Sequence, residues 1–468
     1  MNSKNENIMQ VFDVVYSELC KWNLRNTVND NPMAALAFLT FLKFISDNKE
    51  TLQLEYPEKY NFDYLTLLFQ QKIDQDELVD FVSLVEKQLG YENRILASYV
   101  AGLDLMNVRE QVAALLDYLN RLDLSEPMVA YDSLINFISI QSRKEIRFAG
   151  EFITDVGLAK LMAKITEVDD GMRFYDFACG YGISATQSVK GKNVTVYVQD
   201  INKISVAVSI ILFVLSGVRN AEVRCGDSIK DPINLAYTNK DTFERISVVP
   251  PFGIRISDRE NFHFSNELSS AYQYYYDFKL SGDLLFTRHL LASLTKEGVG
   301  VILLPVGALF RGGNDEKIRR QMIDDNYIDA VIEFPIGVIP GTAVKTALVI
   351  FKKHRSSQDI YILDLSKEAA KEYFEKVSKT GLTITEHGID IISEMVKNRL
   401  EVDGLSRRIN KEEVLDNQCN LCAGVYMQES IDTAIQVQDI TDLVNRNKVL
   451  YDKLAHLNVR FNEIIERI

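Results

Sequence analysis

Between residues 146 and about 400, β-branched runs alternate with amphipathic stretches of helical length, and this rhythm limits the chain to few folds. Strands are expected at 172–178, 194–199, 221–225, 244–249, 298–304, 328–334 and 344–352. Helices are expected at 155–165, 205–216, 283–294 and 316–326. Strands separated by helices imply a parallel, doubly wound sheet, whose ligands lie beyond the carboxyl ends of the strands. Residues 1 to about 145 read as helical throughout, with the apolar run 34–45 as a buried helix. From about 401 the chain turns helical again, and 440–468 has the pattern of a long amphipathic or coiled-coil arm. The expected division is therefore 1–145, 146–400 and 401–468.

Composition narrows the function classes. Of 468 residues, 47% are hydrophobic and 25% charged, which is ordinary for a globular chain with a full core. The longest apolar run, 204–218, is too short to span a membrane, and the first residues lack a signal-peptide pattern, so a cytoplasmic location is expected. Five cysteines make no disulfide framework. Cys419 and Cys422 form one Cys-x-x-Cys without a second pair, and the five histidines lack metal-ligand spacing, so no metal is expected. The histidines read as surface or packing residues.

A net charge of −14 argues against a chain that coats nucleic acid by itself. Basic clusters at 317–320, 352–355 and 407–408 read first as solvated faces. If DNA is the substrate, a partner has to share the phosphate contacts.

Three strand ends carry the residues that could hold a ligand. Asp176-Phe-Ala-Cys-Gly-Tyr-Gly182 closes the first strand before a helix, where glycines permit close backbone approach and free amides face a ligand. Asp200 ends the second strand, where an acid can hold ribose hydroxyls. Asp227 follows the third and could accept from an adenine amino group. No Lys-Ser/Thr pair follows the glycines, which disfavours a triphosphate loop. After the fourth strand, Val249-Pro-Pro-Phe252 joins two stiffening prolines to an aromatic residue. The set fits S-adenosylmethionine better than NAD.

This ordered set resembles the N6-adenine DNA methyltransferase family, in particular the modification subunits of type I restriction-modification systems. Phe152-Ile-Thr154 resembles the family's Phe-x-Thr-Pro, with Asp155 in place of proline. Asp176–Gly182 resembles Asp-Pro-Ala-Cys-Gly-Ser-Gly, with Phe177 and Tyr181 substituted. Gln199-Asp200-Ile-Asn202 is similar to Gln-Glu-x-Asn, and Gly226-Asp227 to Gly-Asp. Farther on, Leu303–Gly313 is similar to Leu-Pro-x-Gly-Val-Leu-Phe-x-Gly-Gly, the strand 330–335 follows as in the family, and Asp416-Asn417 and Val425-Tyr426 resemble its tail motif.

The resemblance implies a Rossmann-like methyltransferase sheet between a helical N-terminal domain and C-terminal helices. It implies S-adenosylmethionine at Phe152, Thr154, Asp176, Ala178, Gly180, Gly182, Asp200 and Asp227, with Pro250, Pro251 and Phe252 at the target base. It implies DNA as substrate, a specificity subunit on the C-terminal helices, and a second methyltransferase or a restriction subunit as further partners. Active members carry Asn-Pro-Pro-Phe/Tyr, whose asparagine and proline carbonyl accept from the adenine amino group. Val249 has no such acceptor. A buried amino group left unpaired costs about 1–3 kcal/mol, a rate loss of about ten- to a hundredfold. Two readings follow: a slow enzyme in which Ser247 or a loop residue supplies the acceptor, or a non-catalytic module that binds DNA or organises a partner complex.

Overall fold

The computed structural model describes residues 3–21, 31–71, 74–103, 108–144, 153–219, 221–233, 242–254, 281–379 and 381–427. Phe152, residues 255–280 and the arm expected at 440–468 lie outside the described residues. The chain forms two compact units, Met1–Tyr426 and Met427–Ile468, and the fold below is that of the first.

Among the described residues the N-terminal region holds α1 Ser3–Lys21, α2 Pro32–Asp47, α3 Phe62–Gln70, α4 Gln75–Gln88, α5 Ile95–Ala101, α6 Arg109–Leu119 and α7 Pro127–Lys144. In α2 the start is encoded locally. The Asn31 side chain accepts the Ala34 amide at 3.0 Å, and Pro32 occupies the first turn, where its missing N–H costs nothing. Every residue from Met33 to Ile45 except Ala35 is buried, so α2 is a central rather than a surface helix.

After α8 (Val156–Thr166) come β1 Arg173–Asp176, α9 Ile183–Val189, β2 Thr195–Asp200, α10 Lys203–Leu215, β3 Glu222–Cys225, β4 Phe243–Val248, β5 Leu294–Pro305, β6 Ile328–Glu333, β7 Thr346–Lys352, β8 Ile360–Asp364, β9 Phe374–Lys376, β10 Leu382–Ile384 and β11 Ser406–Ile409, with further helices among them. Nine strands form one sheet in the order β11-β8-β6-β7-β5-β4-β1-β2-β3, and β9 and β10 form a separate hairpin.

The expected all-parallel sheet is corrected here. β7 runs antiparallel to both β5 and β6, and β11 antiparallel to β8. The reason lies in the connection: residues 334–345 carry Gly and Pro and no crossover helix, and a parallel return needs one.

Two cores flank the sheet. On one face α9 and α10 pack with the N-terminal helices, and on the other α8 and the helix Glu386–Asn398 cover β5–β8. From Ser205 to Leu215 every residue of α10 is buried, because α10 touches the sheet on one side and α2, α5 and α7 on the other. Its apolar run therefore serves packing, and no helix among the described residues is long and apolar enough to cross a membrane.

Candidate functional site

β4, β1 and β2 are neighbours, so their carboxyl ends meet at one edge of the sheet. The glycine turn after β1, the acid ending β2 and the prolines after β4 consequently surround one cavity of about 340 Å³.

The turn is shaped by its glycines. Gly180 and Gly182 hold φ of +52° and +78°, in the left-handed region that side chains resist. At Gly182 a Cβ would also stand 2.9 Å from the Ser209 Cβ, so α9 can approach α10 only because no side chain intervenes. Asp200 fastens this turn to β2, accepting the Gly180 N–H on Oδ2 at 2.9 Å and the Asn202 N–H on Oδ1 at 2.9 Å. The Cys179 amide donates to the Gln199 carbonyl at 3.1 Å.

Of the sequence-predicted site residues, Thr154, Ala178, Gly180, Asp200, Pro250, Pro251 and Phe252 line the cavity, as does Val249. Asp176 and Gly182 support it from outside the lining. Asp176 is 1% exposed and accepts the Ala178 N–H at 3.2 Å. Burial pushes its carboxyl up to about 8, and the nearby Asp200 charge adds to the shift. Burial raises Asp200 as well.

Asp227 is not among the lining residues. Its carboxylate accepts the Ile229 and Lys230 amides at 3.0 and 3.1 Å, which fixes the turn after β3. Ser247 does not line the cavity either: it is fully buried, its hydroxyl 3.4 Å from that of Ser184. The side chain that the cavity receives from position 249 is therefore apolar.

Three of the lining residues that the sequence did not single out have a visible use. Ile201 is 71% exposed beside Asp200 and offers an apolar surface to a flat ring. Asn202 caps α10, accepting the Ile204 and Ser205 amides. Tyr181 is buried, and its hydroxyl accepts from Asn31 Nδ2 at 2.8 Å, which ties α2 to the glycine turn. The tyrosine among glycines was the signal that the sequence offered.

Asp155, which stands where the family has proline, caps α8 through the Gly157 amide at 3.0 Å. The same carboxylate accepts from Ser139 Oγ at 3.1 Å, Thr383 Oγ1 at 2.6 Å and Arg143. It joins α7, α8 and the β9–β10 hairpin.

The basic clusters are solvated faces in part: Lys317, Arg320, Arg407 and Arg408 are exposed, whereas other members are engaged. Lys352 and Arg355 each reach Asp329 at 3.0 Å, joined there by Arg399. Arg319 is buried and donates to the Cys419 carbonyl at 2.9 Å, while Arg407 and Arg408 pair with Glu413 and Glu401. His289 is fully buried, its ring edge-on to Phe177 at 4.5 Å, and burial pushes it down to about 3. It is a packing residue, as read from the sequence.

Comparison with known proteins gives the same direction. The chain is 26% identical over 361 residues to the type I restriction enzyme MpnII methylase subunit of Mycoplasma pneumoniae, covering 70% of this chain and 62% of that protein. It is 25% identical over 384 residues to the MjaVIII methylase subunit of Methanocaldococcus jannaschii, covering 77% and 65%. The chain thus spans slightly less than two thirds of these relatives. In fold it resembles the type I restriction-modification system methyltransferase subunit from Streptococcus thermophilus, with a TM-score of 0.72 and 22% identity over 89% of this chain and 98% of that one. Residues 129–433, more than half of the chain, match the N-6 DNA Methylase family model, and the chain belongs to that family.

Proposed function

We propose that this chain is the modification subunit of a type I restriction-modification-like system, binding S-adenosylmethionine in the cavity and presenting adenine N6 of DNA to it. The single observation that carries the reading is the shared cavity, in which Gly180, Asp200 and Phe252 are lining residues of one space. The residues present fit the cofactor. Asp200 has lone pairs left after its two backbone bonds for ribose hydroxyls, and Ile201 offers an apolar face for the adenine. Asp200, in the lining, places a carboxyl beside the positive charge of the amino and sulfonium groups.

When bound, the cofactor supplies an electrophilic methyl group. The chain's own part is to hold the target base. Phe252 stacks on the flipped adenine and the Pro250 carbonyl accepts from its amino group. Val249 contributes no second acceptor, and the Ser247 hydroxyl is engaged beside Ser184. Transfer is consequently slower than with asparagine at this position, by about ten- to a hundredfold.

That same pair of residues favours the second reading, a chain that binds cofactor or DNA without transferring methyl and organises a partner complex. Under either reading residues 1–145 form a helical domain, 146–400 the methyltransferase domain and 401–468 the region for a specificity subunit. A second methyltransferase or a restriction subunit completes the assembly, which works in the cytoplasm. Phe152 and Asp227 are assigned to the cofactor by resemblance.

The test is transfer of labelled methyl to adenine-rich DNA by the chain with its neighbouring specificity protein, beside Val249→Asn. Weak transfer that Val249→Asn increases supports the first reading. Cofactor binding with no transfer in either protein supports the second. Strong transfer that Val249→Asn leaves unchanged removes the role given to position 249.

A further inference from the structure

The segment Leu303–Gly313 matches the family well, yet none of its residues lines the cavity. Arg311 within it makes contacts that lead back to the proline turn. Its Nη2 donates to Asp283 Oδ2 at 2.5 Å and its Nε to Asp315 Oδ2 at 3.0 Å. The other oxygen of Asp283 accepts the Gly253 N–H at 3.0 Å. Asp283 is almost wholly buried, whereas Arg311 is 40% exposed.

Gly253 directly follows Phe252. Its N–H and the Phe252 carbonyl belong to one planar peptide unit, so a fixed N–H fixes the direction in which the Phe252 backbone leaves its Cα. Gly253 itself adopts φ of +66°, a conformation that needs an external hold because glycine has many alternatives. A second contact lies one residue on. The Gly282 amide donates to the Ile254 carbonyl at 3.1 Å, and a Cβ at Gly282 would stand 2.6 Å from that oxygen. Both ends of the 255–280 segment are thus joined at its base, beside the aromatic residue.

We propose that Asp283 and Arg311 are positioning residues that set the backbone of Phe252, and with it the stacking surface offered to a target base. The role in base binding rests on the reading of residues 249–252 given above, whereas the hold on the turn does not. Asp283 acts as acceptor for Gly253, and Arg311 holds that carboxylate in place through its own bonds to Asp283 and Asp315.

Fluorescence tests the hold directly. Trp22 is the only tryptophan of the chain, so Phe252→Trp in a Trp22→Phe background places one reporter at the turn. Acrylamide quenching of the full-length protein is then compared among Asp283→Ala, Asp283→Asn and Arg311→Gln. Losing one net hydrogen bond raises the loosened population about fivefold, so Asp283→Ala should be quenched markedly more than the parent. Asp283→Asn keeps an oxygen for the Gly253 N–H and should stay near the parent, with Arg311→Gln between them. If Asp283→Ala fails to fold, Arg311→Gln decides alone, because its partly exposed site tolerates the change.

Equal quenching in all variants overturns the proposal. A second arm titrates S-adenosylmethionine and follows methyl transfer. Unchanged cofactor affinity with lowered transfer in Asp283→Ala supports the role at the target base. If the parent neither binds cofactor nor transfers methyl, that role is overturned with the functional reading, while the quenching result still decides the hold on Phe252.

Discussion

Asp200 accepts the Gly180 amide at 2.9 Å, so the acid ending β2 and the glycine turn after β1 form one hydrogen-bonded unit. Its other oxygen holds the Asn202 amide at 2.9 Å. Asp200→Ala leaves both donors unpaired, which costs about 2 kcal/mol of stability at the net value of a hydrogen bond. Urea unfolding should show that loss, and isothermal titration should show S-adenosylmethionine affinity reduced at least about tenfold. Parent-like affinity in a folded Asp200→Ala protein would remove the cofactor role of this residue.

Asp155→Pro restores the residue usual in the family and should nevertheless destabilise the chain. The carboxylate caps α8 at Gly157 and serves Ser139, Thr383 and the nearly buried Arg143. Breaking a buried charge pair by removing one partner costs about 3–5 kcal/mol, far more than the few tenths that proline at a helix start can return. The measurement is the midpoint of chemical unfolding, with Asp155→Asn expected between the two. A midpoint for Asp155→Pro at or above that of the parent would show that this network contributes little.

The parts of this fold legible in the sequence are those with local causes. β-branched runs gave the seven strands β1–β7, and glycines with acids at strand ends gave the lining at Ala178, Gly180 and Asp200. What was not legible depends on distant partners. The helix after the glycine turn was expected but not its extent: α9 is short and rich in small polar residues, and all seven are buried, so no periodicity marks where it ends. The reversal of β7 depends on what the link before it lacks. Basic residues read as solvated because their acids lie elsewhere in sequence: Asp329 gathers Lys352, Arg355 and Arg399. Asp227 matched the family motif, and only the turn it closes at Ile229 and Lys230 reveals a local structural use.

Tyr181 stands in the glycine turn where the resembled motif has serine, and it receives a hydrogen bond from Asn31 at 2.8 Å. The same Asn31 caps α2, so the helical region and the cavity wall share one residue. Asn31→Ala loses the cap and the tie, for about 1–2 kcal/mol in total, whereas Tyr181→Phe loses only the tie. A double-mutant cycle on unfolding free energy should return a coupling of about 0.5–3 kcal/mol. Strict additivity of the two changes would mean that the contact holds nothing together.

Asp176 gives the chain a pH dependence of definite sign. Burial and the charge of Asp200 push its carboxyl from an ordinary 3.8 up to about 8 in the folded chain. Between these values the folded chain keeps a proton that the unfolded chain has released. The stability contributed is therefore full below about pH 4 and is lost as pH rises through about 8, at no more than about 1.4 kcal/mol per pH unit. Asp176→Asn is neutral at every pH and also relieves Asp200 of a neighbouring acid. Its urea midpoint should vary less between pH 5 and 8 than that of the parent, and the two curves should diverge as pH rises. A ligand carrying positive charge should reduce the parent's slope in the same window, because it favours the ionised acids. Parallel curves for parent and variant would show that Asp176 ionises in the folded chain as it does in the unfolded one.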